Sequence, residues 1–152
     1  AAGLNWKGID FSILLQGAAR SSIYLQQDIA WDNFWGNYYE EHIGRWTPET
    51  AATATYPRFT KAATAAHPNY YKSDYWLKDS KYLRLKNIQL GYTIPRKLLK
   101  KFGVRSLRVY ANAYNLFTWD NVKKVDPESS NNSNGQFYPQ QKVINFGINL
   151  NF

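Results

Sequence analysis

The chain has no cysteine and no methionine in 152 residues. A disulfide framework and thiolate chemistry are therefore excluded, a condition shared by envelope proteins that fold without disulfides and by many cytosolic domains. Histidine is nearly as scarce. His42 and His67 stand 25 positions apart, outside a metal-ligand spacing such as two histidines at i and i+4, so neither a metal nor a cofactor is expected. Acidic residues number 11 against 19 basic ones. The nearest approaches to a poised carboxylate pair are Glu40-Glu41 and Asp126 with Glu128. Adjacent glutamates suit a solvated loop, and Asp before Pro127 favours a turn, so no enzyme is expected. No window of about eighteen consecutive apolar residues exists, which excludes a helical membrane span; barrel strands escape that test because their alternation averages to a weakly polar reading. Ala1 to Leu4 carry no charged-then-apolar leader sequence, and no repeat of fixed period runs through the chain.

What the chain has in quantity is aromatic residues, 17% of the total, including twelve Tyr and six Trp, within a negative mean hydropathy. Each ring combines an apolar body with a polar tip, which suits membrane-interface girdles or a ligand surface. The formal charge is +8, compatible with an anionic partner such as nucleic acid, lipopolysaccharide or phospholipid. Five basic residues crowd one stretch: Arg96, Lys97, Lys100, Lys101 and Arg105. A helix-like run after Pro95, with Leu98, Leu99 and Phe102 as its apolar side and Gly103 as its stop, makes this a solvated turn with its basic side outward, and no nucleic-acid partner is expected.

Four segments alternate with period two. The last, 143–152, places Ile144, Phe146, Ile148, Leu150 and Phe152 on one face against Asn145, Gly147, Asn149 and Asn151. About ten alternating residues are what a tilted strand needs to cross an apolar layer, and the terminal aromatic reads as a barrel-assembly signal. The alternative is the half-buried final strand of a soluble sandwich. Segment 5–16 aligns Ile9, Phe11, Ile13 and Leu15, with Leu14 out of pattern. Segment 82–94 aligns Ile88, Leu90, Tyr92 and Ile94, but Leu83 and Leu85 fall out of phase, so a bulge is expected near Lys86 or Asn87. Segment 106–118 aligns Leu107, Val109, Ala111 and Ala113 opposite Arg108, Tyr110, Asn112 and Tyr114.

The connections alternate long, short, long: 17–81, 95–105 and 119–142. In outer-membrane barrels the periplasmic turns are short and the external loops long, which places 95–105 and the carboxy terminus in the periplasm. The first long loop is rich in rings (Trp31, Phe34, Trp35, Tyr38, Tyr39, Trp46, Tyr56, Tyr70, Tyr71, Tyr75 and Trp76), and loops of that length usually carry function or internal packing. In the second, Asp126-Pro127-Glu128 leads into a Ser/Asn-rich stretch, 129–135, suited to an exposed tip. Four strands cannot close a barrel, and a lone four-stranded sheet would leave two unpaired edges in hydrocarbon. A membrane reading therefore requires more strands than these.

Several motifs occur in order along nearly the whole chain: Trp6-Lys7-Gly8-Ile9-Asp10-Phe11-Ser12, Leu14-Leu15-Gln16-Gly17, Arg45-Trp46-Thr47-Pro48-Glu49, Tyr56-Pro57-Arg58 and Ser73-Asp74-Tyr75-Trp76-Leu77-Lys78-Asp79. They continue with Tyr82-Leu83-Arg84-Leu85-Lys86-Asn87-Ile88, Leu90-Gly91-Tyr92-Thr93-Ile94-Pro95, Leu107-Arg108-Val109-Tyr110, Asn115-Leu116-Phe117-Thr118, Asp126-Pro127-Glu128 and Tyr138-Pro139. With them the chain resembles the carboxy-terminal end of a SusC/RagA-like TonB-dependent outer-membrane transporter, a family of Bacteroidota.

The resemblance implies an all-β fold, an antiparallel transmembrane barrel of the 22-strand class filled by a plug, with this chain giving the last four strands and lacking the plug. It implies nutrient uptake, of glycans or oligopeptides, across the outer membrane of a Gram-negative bacterium. The implied partners are a SusD-like surface lipoprotein acting as a lid, the remainder of the barrel and plug, TonB acting through the missing amino-terminal part, the barrel-assembly machinery and outer-membrane lipid. Trp31, Trp35, Tyr38, Tyr39, Arg45 and Arg58 are candidate contacts to cargo or lid; the alternative for the rings is a small core of the loop itself. Trp46 and Pro48 are expected to act as scaffold. Arg108, Asn112 and Tyr114 are expected to face the lumen and to touch plug or ligand. Two other readings stay open: a lidless siderophore or cobalamin receptor, and a soluble carbohydrate-binding β-sandwich.

Overall fold

The computed structural model describes residues 1–27, 30–32, 38–59, 67–122, 125–129, 138 and 140–152. Trp35, Pro139 and the Ser/Asn-rich positions 130–135 lie outside the described residues. Among the described residues the strands are β1 (Ala2–Trp6), β2 (Ile9–Ala18), β3 (Ser22–Tyr24), β4 (Leu77–Asp79), β5 (Tyr82–Thr93), β6 (Ser106–Asp120) and β7 (Val143–Asn151). No described helix is long and apolar enough to cross a membrane. The chain divides into two compact units.

The first unit comprises Ala1–Ser21, Lys81–Asn121 and Pro139–Phe152. It is a five-stranded antiparallel sheet in the order β1-β2-β5-β6-β7. Where the alternation at 5–16 predicts one strand, the structure has a hairpin. Lys7 and Gly8 turn the chain with φ of 46° and 89°, the double left-handed conformation of a two-residue type I′ turn, and Trp6 pairs with Ile9 across it. Such a turn restores the facing of side chains on the return strand. Leu4 and Trp6 therefore join Phe11 and Ile9 on one side, although their sequence parity differs.

Register fixes both faces of the sheet. One row runs Trp6, Ile9, Tyr92, Val109, Ile148; the next runs Leu4, Phe11, Leu90, Ala111, Phe146. These residues form an exposed apolar face, with Phe146 at 82% accessible. The opposite face carries Asn5, Asp10, Gly91, Tyr110 and Gly147 in one row, with Gly3, Ser12, Gln89, Asn112 and Asn145 in the next. The phase slip in β5 is resolved at Lys86, where the register against both neighbours shifts between Leu85 and Asn87. On β6 the slack is taken up at Asn115, whose φ of 50° is left-handed. Asn is among the few side chains that tolerate that region. Its Nδ2 donates to the Gln141 carbonyl at 3.1 Å, tying the irregularity to the approach of β7.

Between β5 and β6 the chain forms one α-helical turn, α1 (Arg96–Leu99), then a 3-10 turn, Lys100–Phe102, ended by Gly103 at φ 68°. The stop falls at Gly103 as the sequence predicts, but the apolar side does not form: Leu99 is buried, while Leu98 and Phe102 are exposed. Two short turns of different pitch cannot align the three side chains on one stripe.

The second unit comprises Ser22–Ser80 and Val122–Tyr138. Here β3 and β4 pair antiparallel, short 3-10 turns lie at Glu40–Gly44, Pro68–Tyr70 and Asp74–Trp76, and one core gathers Ile23, Leu25, Ala30, Trp31, Tyr56, Tyr70, Trp76 and Val122. Both long connections thus contribute to one packed body.

Candidate functional site

The first candidate surface is the polar face of the sheet. Asp10 on β2 and Arg108 on β6 are separated by β5, and they meet because Gly91 stands between them without a side chain. Arg108 Nε donates to Asp10 Oδ1 at 2.9 Å and Nη2 to Oδ2 at 2.5 Å, while Gln89 Nε2 approaches Oδ2 at 3.5 Å. A Cβ built at Gly91 would lie 2.5 Å from both Arg108 Nη2 and Asp10 Oδ1. The Arg108 guanidinium also covers the Tyr110 ring at 4.8 Å, a cation–π arrangement. The Tyr110 ring in turn lies over Gly147, where a Cβ would collide with it. Two glycine notches thus let two long side chains lie flat along the sheet. Asn145 Nδ2 donates to Asn112 Oδ1 at 3.0 Å, and Asn151 Nδ2 to Ser106 Oγ at 2.8 Å. Arg108, Asn112 and Tyr114 all belong to this polar side, with Tyr114 opposite Asn87 and Val143.

The apolar face has aromatics at both ends. Trp6 and Tyr92 mark one end, and Phe117 and Trp119, stacked at 6.1 Å, mark the other. From the Val109 row to Trp119 is roughly 30 Å along the strand, or about 25 Å of height at a tilt of ~40°, the height of an outer-membrane barrel's apolar band.

In the second unit the sequence-predicted contact residues separate by burial. Trp31 is 7% accessible and stacks on Tyr70 at 4.6 Å, so it is a core residue. Tyr38, Tyr39, Arg45 and Arg58 are exposed. Three of them gather around His42: Tyr38 and Tyr39 meet its ring edge-on at 6.0 and 5.6 Å, and Arg45 covers Phe59, which also meets His42. Arg58 takes part through its backbone, accepting from Asn69 Nδ2 at 2.7 Å. His42, 2% accessible, sits at the centre of this group although nothing local in the sequence announces its partners. Its Nδ1 accepts from the Tyr39 amide at 3.0 Å and its Nε2 faces the Ala30 carbonyl at 3.4 Å. An accepting Nδ1 and a donating Nε2–H describe the neutral tautomer.

The motifs at 45–49 and 56–58 are neighbours in space. The Trp46 amide donates to the Tyr56 carbonyl at 2.9 Å, and Thr50 Oγ1 to the Arg45 carbonyl at 2.9 Å. Thr47 hydrogen bonding lowers the Glu49 carboxyl from its ordinary range. Tyr56 Oη donates to the Ala30 carbonyl at 2.7 Å, and Tyr70 Oη lies 3.1 Å from both the Asp32 backbone carbonyl and Asp32 Oδ1. Burial first, and the nearby Asp32 carboxylate second, push both hydroxyls well above the usual tyrosine range; burial alone raises Tyr75. Leu25, Tyr56, Tyr75 and Trp76 help line a recess of about 180 Å³, together with Glu41 and Lys78. No group of three or more metal-ligating side chains occurs among the described residues.

No protein-family model matches the chain. Among curated proteins it is 30% identical to TonB-dependent receptor P26 of Formosa agariphila, over 98% of this chain and 16% of that protein. It is 34% identical to TonB-dependent receptor SusC of Bacteroides thetaiotaomicron, over 54% of this chain and 8% of SusC. Among solved structures the RagAB peptide transporter superposes with a TM-score of 0.72 at 25% identity, over 97% of this chain and 16% of that one. The chain therefore spans about a sixth of the length of such relatives, and it belongs to the SusC/RagA-like TonB-dependent receptors.

Proposed function

We propose that the chain is the carboxy-terminal part of the barrel of a TonB-dependent nutrient importer in a Gram-negative outer membrane. The observation that carries this reading is the two-faced sheet. One face is an aromatic-bounded apolar band of membrane height; the other is a hydrogen-bonded polar wall suited to a lumen. β1 and β7 each have one unpaired edge, and hydrocarbon does not tolerate open edges, so further strands of the same transporter flank them in a barrel of the 22-strand class. A soluble sandwich buries such a face against a second sheet, whereas Phe146 remains largely accessible.

In this reading the connections 17–81 and 119–142 are extracellular loops, the turn at 95–105 is periplasmic, and Arg108, Asn112 and Tyr114 face the plug. Tyr38, Tyr39, Arg45 and Arg58 meet cargo or a SusD-like lipoprotein lid, and TonB drives release by acting on the plug. The cargo is oligopeptide or glycan; the likeness to a structure described as a peptide transporter supports peptide. Mass spectrometry of isolated outer membranes, with the native polypeptide sized on a denaturing gel, tests the reading. These peptides are expected in a protein several times longer, together with plug peptides and a co-purifying lipoprotein. A free soluble species of 17.7 kDa refutes it.

A further inference from the structure

We propose that the turn at 95–105, with Lys7 beside it, is a docking site for anionic phospholipid headgroups; the inference rests on the membrane reading above. Arg96, Lys97, Lys100, Lys101 and Arg105 are all exposed, and none uses its side chain in a hydrogen bond or ion pair among the described residues. The sequence holds no acidic residue between Asp79 and Asp120, so no nearby carboxylate in that stretch offsets these five charges. The same turn leaves Leu98 and Phe102 65% and 77% accessible. Exposed Leu and Phe among lysines make the composition of an interfacial segment, apolar side chains dipping into the acyl boundary while ammonium groups reach the phosphates.

Continuity with the apolar face identifies the occupant. The turn begins three residues after Tyr92, whose row Trp6, Ile9, Tyr92, Val109, Ile148 closes the apolar band. At that end the Lys7 ammonium lies over the Trp6 ring at 4.8 Å, which adds a sixth cation. A surface directly continuous with the lipid-facing band meets headgroups before it meets any soluble partner. Exposed lysines on a small turn suit a diffuse layer of phosphates rather than one fixed anion.

The test uses the full-length transporter in nanodiscs of equal parts phosphatidylglycerol and phosphatidylcholine, with retained lipid counted by native mass spectrometry. Wild-type protein is expected to retain phosphatidylglycerol several-fold over phosphatidylcholine. Lys97→Gln/Lys100→Gln/Lys101→Gln removes three of the six cations and is expected to lower the ratio by about two-fold or more. If that variant fails to insert, high salt applied to the wild type reads the same quantity and is expected to abolish the preference. Phe102→Ser is expected to reduce total retained lipid. No preference in the wild type, or an unchanged ratio in the inserted triple variant, overturns the proposal, as does a periplasmic protein cross-linking to the turn with lipid retention unaffected. Failure of the transporter to reside in the membrane refutes the membrane reading itself; a membrane-resident but unselective transporter refutes only this inference.

Discussion

Gly91 is the sharpest point at which to test how the polar face is built. In Gly91→Ala the new methyl would stand 2.5 Å from Arg108 Nη2 and 2.5 and 2.6 Å from the two Asp10 oxygens, so the pair must separate. Both side chains keep about a quarter of their accessibility (24% and 27%), so solvent screening leaves the pair itself a small share of the cost. Crowding contributes about 1–3 kcal/mol as overpacking, and alanine returns about 0.5–1 kcal/mol in strand preference. The net loss expected is about 1 kcal/mol, read as a lower denaturant midpoint for the detergent-folded full-length protein. The decisive control is the same substitution in an Asp10→Ala/Arg108→Ala background, where the cost should vanish and leave only alanine's gain of about 0.5–1 kcal/mol in the strand. An undiminished loss there would show that the glycine serves the backbone and not the ion pair, and the reasoning fails.

Ile144→Arg, in the row Ile13, Ile88, Ala113, Ile144 nearer the middle of the apolar face, is expected to destabilise the folded protein by about 2–4 kcal/mol, whereas Asn145→Arg on the opposite face costs under about 1 kcal/mol; equal effects would remove the distinction between the faces. Asn115→Gly keeps the left-handed φ but loses the exposed bond to the Gln141 carbonyl and should cost under about 1 kcal/mol, and Asn115→Val should lose about 1–2 kcal/mol more at that φ, measured by the same unfolding assay. The raised Tyr56 and Tyr70 hydroxyls give an alkaline signature. The unfolded chain releases these protons near pH 10 while the folded unit holds them, so their contribution is complete below that pH and is lost as pH rises beyond it. Near-ultraviolet tyrosinate absorbance should therefore show a late, cooperative step that Tyr56→Phe/Tyr70→Phe diminishes.

Alternation in the sequence was enough to locate β5, β6 and β7, and the phase slip between Leu85 and Ile88 pointed to the irregularity at Lys86, because facing is a strictly local property of an extended chain. The β1–β2 hairpin escaped the same logic. Its turn uses Lys7 at a left-handed position where Asn or Asp is the usual signal, and with only five residues β1 offers little periodicity to read. The ring-rich loop was legible in content but not in arrangement. Nothing near Trp31 in sequence says that it will stack on Tyr70, nor that Val122 from the other long connection will complete the same core, since such pairings are set by tertiary packing. The motifs at 45–49 and 56–58 were visible as words; that they hydrogen-bond to each other was not.

The notches at Gly91 and Gly147 bear on more than stability. Because Arg108 and Tyr110 lie along the sheet instead of standing up from it, this stretch of wall has low relief, and the Arg108 charge is already answered by Asp10 on the same surface. A body resting against it meets few protrusions to interlock with and has no ion pair with Arg108 to break before it shifts. Those are the qualities of a bearing surface.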